Sequence, residues 1–60
     1  MIDRHEACER LAEEPLSKWE EEFIICITDW EGGLTDRQME VLAKLVRQYL
    51  HEDCEPSDFL

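Results

Sequence analysis

Three helix-start signals, each followed by apolar residues at three- and four-residue steps and each cut off by a breaker, leave this chain little choice of fold. They are Asp3-Arg4-His5-Glu6, Ser17-Lys18-Trp19-Glu20 and Thr35-Asp36-Arg37-Gln38. The last two fit the capping box, in which a cap hydroxyl takes an orphan backbone N–H and the later Glu or Gln reaches back to the cap. The first is a looser version with Asp at the cap. Leu34 and Met39 add the spacing of a hydrophobic staple to the third.

The stops are equally local. Pro15 ends the first helix near Glu13 or Glu14, because the residue before proline avoids the α region. Gly32-Gly33 supplies a flexible C-cap after Trp30-Glu31. Pro56 lies beyond the end of the third. These signals predict helices near 4–13, 18–31 and 36–52, with a tail over 54–60. No strand pattern, internal repeat or low-complexity tract interrupts them. The expected fold is all-α, a small three-helix bundle in one domain over 1–60, built on an antiparallel helical hairpin of the second and third helices.

The apolar positions give the expected core. In the second helix Leu16, Trp19, Phe23, Cys26, Ile27 and Trp30 share a stripe; in the third Met39, Leu42, Leu45, Val46, Tyr49 and Leu50 do so. The first helix has Ala7, Cys8, Leu11 and Ile2 to bury and is expected to lie across the hairpin. Trp19 and Trp30 are expected to close the two ends of the hairpin core; a Trp left at the surface is instead a binding hot spot. Ile24 and Ile25 flank the stripe, so either the first helix covers one of them or they form an exposed patch for a partner or a second copy of the chain. The tail Glu55-Pro56-Ser57-Asp58-Phe59-Leu60 is read as folding back onto the helices, with a short linear motif as the alternative.

Sixty residues bury only about 60% of the surface exposed on unfolding, so the core is small and a deep cleft or large cofactor site is not expected. The 43% hydrophobic content argues against intrinsic disorder. No apolar run approaches the roughly 20 residues of a membrane span. The start Met1-Ile2-Asp3-Arg4-His5-Glu6 lacks the pattern of a secretory signal. Cys8, Cys26 and Cys54 are an odd set, which suits buried thiols or metal ligands in a reducing compartment. A cytoplasmic location is the expectation.

One arrangement resembles a metal site. His5-Glu6-Ala7-Cys8 and His51-Glu52-Asp53-Cys54 are both H-x-x-C pairs, and residues three apart share a helix face. If the start of the first helix met the end of the third, His5, Cys8, His51 and Cys54 would offer zinc two thiolates and two imidazoles. Otherwise Cys8 packs beside Leu11 and the rest are solvated, and no cofactor is needed. No residue is assigned a catalytic role: no carboxylate is marked out by a partner, Cys8 with His5 lacks an orienting group, and there is no phosphate-cradling glycine loop or nucleophile elbow.

Charge points to function. Sixteen Asp and Glu face six Lys and Arg, a net charge of -10. Residues 1–33 hold ten acidic and three basic side chains, a balance of -7; residues 34–60 hold six and three, a balance of -3. Glu6, Glu9 and Glu13 run along the first helix, and Glu14, Glu20, Glu21 and Glu22 cluster at its junction with the second. A compact domain of this length is roughly 27 Å across. Duplex DNA of that length carries about 16 phosphate charges. Such a surface repels nucleic acid and anionic membrane and attracts basic protein.

The stretch Leu16-Ser17-Lys18-Trp19-Glu20, with Phe23, Ile27, Trp30, Leu34-Thr35, Gln38 and Val41-Leu42, resembles a helical-hairpin pattern of small bacteriophage and bacterial proteins. It covers residues 16–49, through core and capping positions. In size and charge the chain is similar to phage-encoded inhibitors such as anti-CRISPR proteins and DNA mimics. That resemblance implies an inhibitor that occludes a basic nucleic-acid-binding groove of a host complex. The expected contacts are Glu6, Glu9, Glu13, Glu20, Glu21, Glu22, Ile25 and Trp30. The alternative is a helical interaction or dimerisation module, docking through Ile24, Ile25 and Trp30, or a zinc-stabilised regulator.

Overall fold

Each of the three start signals does what its chemistry dictates. Asp3 accepts the Glu6 N–H at 2.8 Å. Ser17 and Glu20 cap reciprocally, the Ser17 N–H donating to Glu20 Oε1 at 2.9 Å and the Glu20 N–H to Ser17 Oγ at 3.3 Å. Thr35 and Gln38 repeat the arrangement at 2.9 and 3.1 Å. In a computed structural model that describes residues 2–59, they open α1 (Arg4–Leu11), α2 (Lys18–Asp29) and α3 (Asp36–Leu45). A π turn, Val46–Leu50, continues α3, and a 3₁₀ turn, Pro56–Phe59, ends the described chain. The fold is all-α with no strand among the described residues. Met1 and Leu60, both inside the expected 1–60 domain, lie outside the described residues, as does the tail reading for Leu60.

The helices stop sooner than the sequence implies, each for a local reason. After Leu11 the chain turns through Glu13 N–H to Arg10 O and Glu14 N–H to Leu11 O, ahead of Pro15. Trp30, expected to be helical, takes extended backbone (φ -82, ψ 124), so α2 ends at Asp29. Gly32 and Gly33 do not act as left-handed caps; the one positive φ among the described residues belongs to His51, at 55. His51 follows the π turn as a left-handed C-terminal residue, which ends the third helical stretch at Leu50 rather than 52.

The elements run antiparallel in sequence. Arg4, at the start of α1, donates to the Gly32 carbonyl at 2.7 Å and to the Trp30 carbonyl, beyond the end of α2. Tyr49 Oη, at the end of the π turn, donates to Glu20 Oε1 at 2.6 Å, at the start of α2. That bond sets the end of the third helical stretch beside the start of α2. The closest backbone approaches nevertheless join α1 to α2, α1 to the π turn, and α3 to the 3₁₀ turn; α2 and α3 approach each other less. The first helix packs on both α2 and the π turn, with Ala7 and Leu11 fully buried. The tail folds back: Arg47 donates to the Cys54 carbonyl at 3.1 Å, and Cys54 and Phe59 are buried.

The core holds Ile2, Ala7, Cys8, Leu11, Ile24, Ile27, Met39, Leu42, Ala43, Leu45, Val46, Cys54 and Phe59. For the third helix this matches the expected stripe, with Tyr49 and Leu50 half-buried and Ala43 added. For α2 the expected stripe is wrong by a rotation. Ile24 and Ile27 are buried, Leu16 and Phe23 are partly covered, and Trp19, Cys26 and Trp30 are exposed. The tryptophans therefore do not close the ends of the core. Residues 23–27 are five consecutive apolar side chains, so the helix has two candidate faces. α1 packs on α2, both isoleucines join the shared core, and the aromatic face is left with Phe23 half-buried and Trp19 exposed.

Candidate protein-binding surface

The turn between α1 and α2 builds the most promising concavity. Pro15 holds the chain extended after the early end of α1, and Ser17 restarts it as α2. Between the two lies an open cavity of about 390 Å³, lined by Ala12, Glu14, Pro15, Leu16, Glu21, Ile24 and Ile25. Its floor is aliphatic and its charged groups are two carboxylates. That combination suits a Lys or Arg side chain, whose methylenes lie on apolar surface while the cationic head meets carboxylate.

The expected contact residues divide into free and committed groups. Glu9, Glu13, Glu21 and Glu22 are exposed. Ile25 and Trp30 are each 53% exposed. Glu6 is exposed and lies 3.7 Å from Arg10. Glu20 is committed: it caps α2 and accepts the Tyr49 hydroxyl, and those bonds, the tyrosine's first, hold its carboxyl below the usual range. The same bond raises Tyr49. The capping-box motif already contained the signal that Glu20 is spent on the fold. Glu14, Pro15 and Leu16, which complete the cavity, were not among the expected contacts, because their convergence depends on where α1 stops.

The basic side chains explain why so much negative charge is left over. Arg4 and Arg47 are spent on backbone carbonyls. Arg10 bonds Glu52 Oε1 at 2.6 Å, which raises its own pKa, and reaches Glu6. Among the described residues these two are the ion pairs present, and both use Arg10. Three of the six cations therefore hold the fold together, and most carboxylates have no cationic neighbour in contact.

The proposed zinc ligands do not converge. His5 and His51 are exposed, while Cys8 and Cys54 are buried. No group of three or more His, Cys, Asp or Glu among the described residues is placed to hold a metal ion. The left-handed turn at His51 explains part of this: it breaks the helical i, i+3 register that would put His51 and Cys54 on one face. Burial pushes both thiols up, with Thr28 and Arg4 opposing it at Cys8 and Asp58 adding to it at Cys54. Reactive cysteines need the opposite shift.

The second helix carries one further exposed feature. Trp19 and Phe23 stack with ring centroids 5.7 Å apart and 10° between planes. With Glu22 and Cys26 they line a shallow cavity of about 220 Å³. At the helix end Trp30 Nε1 donates to the Gly33 carbonyl at 3.0 Å, and its indole lies so close to Gly32 that a Cβ there would meet Nε1 at 3.0 Å.

No protein-family model matches the chain, and no curated protein or solved structure is detectably similar to it. No helix among the described residues is long and apolar enough to cross a membrane.

Proposed function

We propose that this is a non-catalytic, cytoplasmic binding protein of the kind represented by small acidic phage inhibitors, and that it occludes a basic nucleic-acid-binding groove on a host protein. The supporting observation is the uncompensated anionic surface: a chain of net charge -10, three of whose four arginines are engaged by backbone carbonyls and Glu52. The principal extent of 26 Å spans about 15 phosphate charges of duplex. The proposed contacts are Glu9, Glu13, Glu14, Glu21, Glu22 and Ile25, of which Glu14, Glu21 and Ile25 line the cleft between α1 and α2. Glu20 supports α2 from below rather than facing a partner.

The test is capture of partners from host lysate at low and raised salt, with the wild-type chain and the double variant Glu21→Lys/Glu22→Lys, followed by competition with nucleic acid. The reading expects a basic partner, lost in the variant, weakened by salt and displaced by DNA or RNA. A partner retained by the variant at both salt concentrations overturns it.

A further inference from the structure

On α2 the row Trp19, Phe23, Cys26 follows four- and three-residue steps, the spacing of one seam of a coiled coil, and Trp30 stands four residues on, at the extended residue that caps the helix. Its helical part runs about 10 Å, or two turns. Phe23 is half-buried against the core, and the rest of the row is open: Trp19 is 61% and Trp30 53% exposed, and Cys26 is exposed. Its aromatic groups are already ordered, Trp19 by stacking on Phe23 and Trp30 by its bond to Gly33, so docking loses little side-chain freedom there.

We infer that this row is a docking seam for a cationic amphipathic helix of a partner protein. The inference rests on the reading of the chain as a binder of basic surfaces, and it names the form that a partner's basic segment takes. Charge selects the occupant. Glu22 and Asp29, seven residues apart, lie along one edge of the row, with Lys18 at its start. Lysines or arginines flanking a partner's apolar seam meet that edge favourably. A second copy of this chain would instead set -10 against -10. Area agrees: the two half-exposed indoles offer roughly 300 Å², well short of the roughly 800 Å² per partner of a stable globular interface. A short helix laid in a groove needs less and gains from charge.

The probe is a synthetic peptide of about 18 residues with Leu at heptad a and d positions and Lys elsewhere, long enough to form a helix. Its control is an isomer of identical composition with the leucines scrambled. Binding to the full chain is followed by tryptophan emission and by sedimentation. Cys26→Glu gives opposite signs for the two mechanisms, because it adds negative charge while spoiling the apolar seam at an exposed position. The inference expects the patterned peptide to bind at least ~10-fold more tightly than the isomer, and both Cys26→Glu and Trp19→Ser to weaken it at least ~10-fold. If both peptides bind alike and Cys26→Glu tightens them, the seam is refuted while the anionic-binder reading stands. If neither binds at low salt, both fall. If the chain alone doubles in mass and Cys26→Glu restores the monomer, the occupant is a second copy and the inference is overturned.

Discussion

Replacing Leu11 with Ala should nearly unfold this protein, although Leu11 ends the shortest α-helix. Leu11 is fully buried where α1 meets α2 and the π turn. Its truncation removes a methine and two methyls from a fully buried site, a loss of ~3 kcal/mol within the usual 2–5. A 60-residue domain has only about 3–9 kcal/mol in total, at roughly 0.05–0.15 per residue. The melting temperature should drop by about 12–24 °C, since each kcal/mol moves a domain of this size by about 4–8 °C. Thermal and urea unfolding by far-ultraviolet circular dichroism measure this. Glu9→Ala, on the exposed side of the same helix, is the control and should shift melting by no more than about 3 °C. A Leu11→Ala variant that melts within a few degrees of wild type would refute the packing of α1 on α2 and the π turn, and the cleft at its end would lose its support.

Tyr49→Phe should flatten the pH dependence of stability at both ends. Glu20 is lowered from its ordinary 4.5, so its contribution is present above that pH and lost as pH falls through the lower folded value. Tyr49 is raised from 10.0, so its contribution is present below pH 10 and lost as pH rises toward the higher folded value. Urea midpoints across pH 3–11 should therefore show both limbs in wild type and a reduced version of each in the variant; unchanged limbs would contradict the Tyr49–Glu20 bond. A colorimetric thiol assay on the native chain should find Cys26 reacting at once and Cys8 and Cys54 only with unfolding, because both are buried with raised pKa; three equally fast thiols would contradict the core.

The local signals were legible and the tertiary choices were not. Each cap sits where its side chain can reach a backbone N–H three residues on, so sequence alone places Asp3, Ser17 and Thr35. The third helix has one apolar face, and Met39, Leu42, Leu45 and Val46 could only turn inward. The second helix has two, and periodicity does not say which one finds a partner; the residues of α1 decide, by burying against Ile24 and Ile27. The same limit governs the site. Position left open which of Ile24 and Ile25 would be covered, and the cleft that Glu21 and Ile25 share with Glu14 and Leu16 depends on α1 stopping at Leu11. The four expected zinc ligands are not gathered among the described residues, in part because His51 is left-handed, a backbone angle that no H-x-x-C spacing announces.

The account depends on an anionic surface that is shaped as well as charged. An amide nuclear magnetic resonance titration of the labelled chain with a tetra-arginine peptide tests that directly. The account predicts saturable shifts concentrated at Glu14, Leu16, Glu21 and Ile25, abolished by Glu21→Lys/Glu22→Lys. Weak, non-saturating shifts spread equally over Glu40, Asp53 and Glu55 would contradict it, since charge alone would then explain all the attraction.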